Sequence, residues 1–236
     1  MAISRLPLFN EDMSLKNILA PSILAADIAN LGEEINKTAS AGAKYLHIDV
    51  MDGVFVPRLS FGQCVVESIR KCTDIIFDVH LMIVDPIKCV EDFAKCGADA
   101  ITVHLEACED VKATLLKIRE CGCRAGLSIK PATKVEEIIP YLDFVDMILI
   151  MSVEPGLGGQ KYMEDATGRI TKTRELINKR GLDIDVEVDG GICKDNLKKI
   201  LDAGANVIVS GSSIFKGDIS KNTKEFIEIL KEAERA

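Results

Sequence analysis

The chain has no C-x-x-C pair, no run of basic residues, no apolar stretch of the ~18 residues needed to cross a membrane, and only three histidines. Each absence excludes something. Without cysteines at that spacing, zinc-ribbon and thioredoxin-type chemistry drop out. Without Lys/Arg clusters interleaved with aromatic residues, nucleic-acid binding drops out as well. No linker or low-complexity tract divides the chain, so a second domain is not expected. The opening segment MAISRLPLFNEDMSLKN lacks the apolar core of a secretory signal. The eight cysteines (Cys64, Cys72, Cys89, Cys96, Cys108, Cys121, Cys123 and Cys193) are therefore expected to be reduced thiols of a cytoplasmic protein.

What is present suits one large globular unit. The 236 residues are 47% hydrophobic and 28% charged, enough to bury a core without disulfides or structural zinc. The net charge of -8 leaves no broad positive field. A phosphorylated ligand would need locally placed donors instead.

Strand-like and helix-like segments alternate. Strands are expected at 18–24, 44–49, 75–80, 99–104, 124–129, 144–151, 184–189 and 206–210. Helices are expected at 27–41, near 62–72, from Pro86 to just before Gly97, and at 109–121, 133–140, 163–180, 194–203 and 221–235. Asp27 suits an N-cap, Pro86 a first helical turn, and Gly42 a helix stop. Most strands are continuous apolar runs, which marks strands covered on both faces, as in parallel sheets. Steps of Gly-Ala followed by Lys, Asp or Asn (GAKYLHID, GADAITVH, GANVIVSG) mark the return from helix to strand. Eight such units predict a single (β/α)8 barrel over 18–236, with 1–17 as an N-terminal extension. A doubly wound open sheet is the structural alternative.

The barrel reading forecasts a site at the carboxyl ends of the strands. His47, Asp49, His80 and Asp189 fall there, in KYLHIDVMDG, DIIFDVHLM and IDVEVDGG. His47 and Asp49 are two apart on one strand and share a face. Two imidazoles and two carboxylates suit one divalent metal: zinc, iron(II), manganese or cobalt. A lone strand-end histidine is more often a plain structural group, but four such residues, expected in one layer, favour a site. Carboxylates on different sides of a barrel can also take a proton from one face of a carbon and return it to the other.

Three glycine clusters follow successive late strands: EPGLGGQ at 154–160, DGGI at 189–192 and SGSSIF at 210–215. One cluster would signify only a tight turn. Three at neighbouring strand ends point to a phosphate cradle. Met51, Met82 and Met151 also follow strand ends, as core filling or as an apolar cap over a reacting carbon; spacing does not choose.

The segments APSILAAD, HIDVMDGVFVP, DVHLM, MSVEPGLGGQKYMED, VEVDGG and VSGSSIF resemble the ribulose-phosphate 3-epimerase family in order and spacing, from about Ile18 to Phe215. The resemblance implies a barrel isomerase of the pentose phosphate pathway. It would interconvert D-ribulose 5-phosphate and D-xylulose 5-phosphate as a homo-oligomer with one divalent metal per subunit, zinc or iron first, manganese or cobalt as substitutes. It implies His47, Asp49, His80 and Asp189 as metal ligands, and Asp49 and Asp189 as the acid/base pair. Ser22, His80, Met51, Met82, Met151, Gly156, Leu157, Gly158, Gly159, Gly190, Gly191, Gly211 and Ser212 would bind substrate. Two positions depart from the family pattern: Arg58, usually Asn, and Leu157, usually Phe. They bear on the mouth of the site and on its lid.

Two rivals have distinct signatures. A D-allulose 6-phosphate 3-epimerase tends to read D-G-S where this chain has Asp189-Gly190-Gly191. A non-catalytic sugar-phosphate-binding barrel would not need both carboxylates and both histidines. Related decarboxylases carry D-x-K-x-x-D, and here Asp78-Val79-His80-Leu81-Met82-Ile83 lacks the lysine and the second aspartate.

Overall fold

A computed structural model of the chain describes residues 17–235. The expected 1–17 extension lies, except for Asn17, outside the described residues. Eight parallel strands form the frame: β1 (Ile18–Pro21), β2 (Tyr45–Met51), β3 (Ile76–Met82), β4 (Ala100–His104), β5 (Arg124–Ile129), β6 (Met147–Met151), β7 (Asp185–Asp189) and β8 (Val207–Ser210). They pair in the order β1-β8-β7-β6-β5-β4-β3-β2. A parallel bridge between Ser22 and His47 joins the two ends and closes the barrel.

The helices α1 (Leu31–Ser40), α2 (Gln63–Arg70), α3 (Val90–Cys96), α4 (Val111–Glu120), α5 (Asp165–Arg180), α6 (Lys194–Asp202), α7 (Ser212–Phe215) and α8 (Ile219–Glu234) lie between and outside the strands. The outward strand side chains and the inward helix faces make the main apolar core, with Ile48, Val79, Ile101, Leu127, Ile148, Val186 and Ile208 all fully buried. Both strand faces are thus covered, which is why the strands read as apolar runs rather than alternations. No helix among the described residues is long and apolar enough to cross a membrane.

Local chemistry moves several element ends. The first strand stops at Pro21, because Ser22 caps a 3-10 turn at Ile23–Ala25 and accepts from the Leu24 amide. The helix expected from 27 opens as a 3-10 turn at Ile28–Asn30, capped by Asp27. The segment expected as a helix at 133–140 is a 3-10 stretch over Val135–Phe144, with Pro140 inside it. Proline there removes a donor and blocks a regular α-helical ladder. The sixth strand begins at Met147 rather than 144, since Asp146 is engaged by Arg119 and by the Ala125 amide.

The strand register sorts the inward side chains into tiers of four from alternate strands. The lower tiers hold an apolar plug that includes Ile18, Tyr45, Ile76, Met147 and Val207. Polar groups take over above it, with Asp78, Glu187, His47 and Thr102 fully buried. Gly126 is required there, because a Cβ would sit 2.1 Å from Thr102 Oγ1 and 3.1 Å from the Thr102 Cα. Gly126→Ala is expected to cost about 1–3 kcal/mol, lowering the melting temperature by roughly 2–12 °C. A calorimetric scan that shows no change would contradict this packing.

Candidate metal and substrate site

The structure brings His47, Asp49, His80 and Asp189 together, with one donor atom from each within 4.8 Å of the others. They do not share one layer, as the sequence suggested. Asp49 is in the top tier, His80 and Asp189 in the next, and His47 in the third, mid-strand in β2. The tilt of the strands lets His47 reach upward. Its Nε2 lies 3.3 Å from His80 Nδ1 and 3.4 Å from Asp49 Oδ1, and His80 Nδ1 lies 3.3 Å from the same oxygen.

That triangle fits a cation. Tetrahedral coordination with bonds of about 2.0–2.1 Å separates donors by roughly 3.3–3.4 Å. The two imidazole nitrogens also cannot both carry a proton at this separation. A positive ion between them resolves the conflict and neutralises Asp49.

The electrostatics ask for the same charge. Burial disfavours a charged His47, but Asp49 and Asp78 outweigh it and hold His47 well above the ordinary imidazole range. Burial likewise opposes ionisation of Asp49, yet His47 and His80 hold its carboxyl far below the usual range. Asp189 goes the other way. Burial first, then the nearby Asp49 charge, pushes it up to about 6. Without a metal, a proton on His47 is the positive charge of the site.

Each candidate ligand, or the backbone that carries it, is held from behind. Ser22 Oγ donates to Asp49 Oδ2 at 2.7 Å. Ser152 Oγ shares its one proton between the carbonyls of Asp189 (2.8 Å) and Gly190 (2.7 Å), fixing the end of β7. His47 Nδ1 is 2.6 Å from Asp78 Oδ2, and Glu187 Oε1 is 3.4 Å from the same nitrogen. Burial and the Asp78 charge raise Glu187 well above the carboxylate range. His80 Nε2 is 2.9 Å from Nε2 of His104. Burial lowers His104 to about 4, leaving it neutral.

A cleft opens above the four candidate ligands. Ser22, Asp49, Asp189, the three methionines and all the glycines of the sequence reading line it, together with Leu157 and Ser212. His47 and His80 lie beneath. Met51 and Met82 pack with Val56, and Met151 with Leu149 and Val153. Gly190 and Gly191 have φ of 119° and 67°. A Cβ on Gly191 would sit 2.2 Å from the Tyr162 amide nitrogen, so this turn admits no side chain. Leu157 is 44% exposed at the rim. Arg58 is exposed and does not line the cleft.

Sequence reasoning missed Asp78, Glu187, His104 and Glu106. The i, i+2 rule that paired His47 with Asp49 pairs Asp78 with His80 and Glu187 with Asp189 equally well. His104 ends β4 as visibly as the others end their strands.

The model of the Ribulose-phosphate 3 epimerase family matches residues 18–215. The ribulose-phosphate 3-epimerase of Synechocystis sp. is 48% identical over 86% of this chain and 89% of its own length. That of Bacillus subtilis is 43% identical over 84% and 91%. The chloroplastic ribulose-5-phosphate-3-epimerase of Arabidopsis thaliana is 41% identical over 91% and 75%. Among solved structures, KGPDC of Streptococcus mutans in complex with D-R5P superposes with a TM-score of 0.70 at 19% identity, over 93% of this chain and 99% of that one. Thiamine phosphate pyrophosphorylase of Pyrococcus furiosus gives 0.64 at 19%, over 95% and 99%. At such identities the likeness establishes the barrel fold alone. The named relatives are five-carbon epimerases, so the six-carbon alternative is not favoured. On the family match and these identities, the chain belongs to the ribulose-phosphate 3-epimerase family.

Proposed function

We propose that this isomerase interconverts D-ribulose 5-phosphate and D-xylulose 5-phosphate by moving the proton at carbon 3 between Asp49 and Asp189. The reaction follows from the family. The observation that carries the assignment of roles is the opposed state of two carboxyls facing one cleft: Asp49 is held ionised, while Asp189 is raised to about 6. Carboxyls whose environments push them apart are suited to base and acid roles on one substrate. Their roles exchange with the direction of reaction.

In this reading His47, Asp49, His80 and Asp189 hold one divalent cation. The ion supplies Lewis-acid stabilisation of negative charge developing on the substrate oxygens. Two nitrogens and two oxygens suit zinc or iron(II), with manganese(II) or cobalt(II) as replacements. Elemental analysis of the purified protein identifies the resident ion.

The chain's own groups do the rest. The loops carrying Gly156, Gly158, Gly159, Gly190, Gly191, Gly211 and Ser212 cradle the phosphate with backbone amides. Ser22 aims Asp49 through its 2.7 Å hydrogen bond and contacts the sugar. Met51, Met82 and Met151 keep water from the carbanion-like carbon. Gly191→Ala should force the turn after β7 away from the 160–162 backbone and so disturb the cradle. An approximately tenfold rise in KM is expected, equivalent to about 1.4 kcal/mol of binding. An unchanged KM would move the phosphate elsewhere.

The substrate is tested by following metal-loaded protein with D-ribulose 5-phosphate and with D-allulose 6-phosphate in parallel. The pentose should give the higher kcat/KM, and the reverse order would assign the chain to the six-carbon reaction. No turnover of either sugar would leave a binding protein.

A further inference from the structure

All three histidines of the chain lie in one connected set, and the third has no part in the reading above. We propose that His104 and Glu106 are positioning residues that fix the tautomer of His80, leaving its Nδ1 bare toward the cation. The inference rests on the reading that His80 is a ligand.

Proton counting carries the argument. His80 Nε2 and His104 Nε2 are 2.9 Å apart, and both side chains are fully buried. A contact of that length needs one proton between the two nitrogens. If His80 donates, its Nδ1 is bare, and the remaining proton of His104 sits on its Nδ1. If His104 donates, His80 carries its proton on Nδ1. That proton would point into the triangle with His47 Nε2 and Asp49 Oδ1, in the cation's place.

Glu106 decides between the two. Its Oε2 is 3.4 Å from His104 Nδ1, within electrostatic reach, and this buried nitrogen has no hydrogen-bond partner among the described residues. A protonated Nδ1 is attracted to the carboxylate, whereas a bare one would set its lone pair against the carboxylate's at a nitrogen that is itself buried. The other oxygen, Oε1, accepts from the Lys130 amide at 2.8 Å and from the Thr133 hydroxyl. The carboxylate is therefore anchored, and its preference passes through His104 to His80. Phe55 packs against His104 with ring centroids 4.9 Å apart, and Lys130 Nζ lies 3.8 Å above the Phe55 ring. This cover shields the chain of rings from water. The two ligand histidines thus have different supports: a carboxylate directly behind His47, and an imidazole relay behind His80.

Glu106→Gln inverts the relay with little change in volume. The Lys130 amide and Thr133 hydroxyl still require an oxygen at the Oε1 position. The amide nitrogen then takes the place of Oε2 and donates to His104 Nδ1. Zinc titration of protein with 15N-labelled histidine reads the result directly, since there are only three imidazoles to assign. In the parent, zinc should shift His47 and His80, with the His80 proton on Nε2. In Glu106→Gln, zinc-free His80 should carry its proton on Nδ1, and zinc should bind about 10–100-fold more weakly. The zinc-free melting temperature should stay near the parent value, which separates positioning from a structural role. His104→Phe, which removes the acceptor altogether, should weaken zinc over the same range. Unchanged zinc affinity and His80 tautomer in Glu106→Gln would overturn the relay while leaving the metal site standing. Zinc that moves neither His47 nor His80 in the parent would overturn both.

Discussion

Asp189→Asn is expected to abolish epimerisation while leaving the barrel folded. Asn matches Asp in size, and the backbone of this turn is held by Ser152, which bonds carbonyl oxygens rather than the carboxyl. What is lost is a group able to hold and release a proton. Removing a positioned general acid/base costs about 100- to 10,000-fold, and kcat should fall toward the far end of that range, because Asp49 and Asp189 are the only carboxyls that line the cleft among the described residues. The asymmetry is more telling than the size. Asp49 survives in this variant, kept ionised by His47 and His80. It should still exchange the carbon-3 proton of one epimer with solvent, but without producing the other. Asp49→Asn should show the opposite preference; both variants remove a donor from the proposed cation site, so each is assayed at saturating metal. Isotope exchange measured separately on each epimer checks this. Equal exchange of both epimers in Asp189→Asn would remove the division of labour.

Metal removal has the second large effect. Stripping the ion with a strong chelator should lower kcat by about 100- to 1,000-fold, equivalent to roughly 3–4 kcal/mol of transition-state stabilisation. Returning zinc or another suitable divalent ion should restore activity. The pH dependence has a definite sign. His47 is held well above its ordinary value in the metal-free protein, so a cation must displace a proton. Metal affinity should therefore rise with pH through the neutral range and fall on acidification. A chelator should strip the metal more readily at low pH, to the extent that it does not itself lose affinity there. A cation bound to the folded state alone also stabilises it, by about 2.7 kcal/mol at a hundred times its dissociation constant. A melting temperature that is insensitive to zinc at every pH would contradict the site.

The barrel was legible because burial on both strand faces leaves a mark that needs no partner to be read: runs such as MILIM in β6 and VIVS in β8. The Gly-Ala returns and helix stops punctuated it. The parts that escaped are those set by single side chains. Ser22 ends β1 by capping a turn, and α7 is a four-residue helix too short to carry a period. The candidate ligands were legible because each is a metal-binding side chain on or beside the carboxyl-terminal half of an apolar strand run. Their depth was not, because the tilt and stagger that put His47 two tiers below Asp49 come from closure through Ser22 and His47, a contact between distant segments. Asp78, Glu187 and His104 escaped for another reason. A buried polar residue on an apolar strand resembles an ordinary core group until its neighbour is known, and those neighbours sit on other strands. The i, i+2 parity was available for Asp78 and Glu187, and it would have placed them on the barrel interior.

The central claim is a two-carboxylate, metal-dependent proton transfer at carbon 3. The most direct test is NMR of the protein with D-ribulose 5-phosphate in deuterated water, with and without zinc. The account predicts D-xylulose 5-phosphate carrying deuterium at carbon 3, formed rapidly with metal and slowly after chelation. Product formed with carbon-3 hydrogen fully retained, or formed equally fast without metal, would contradict it.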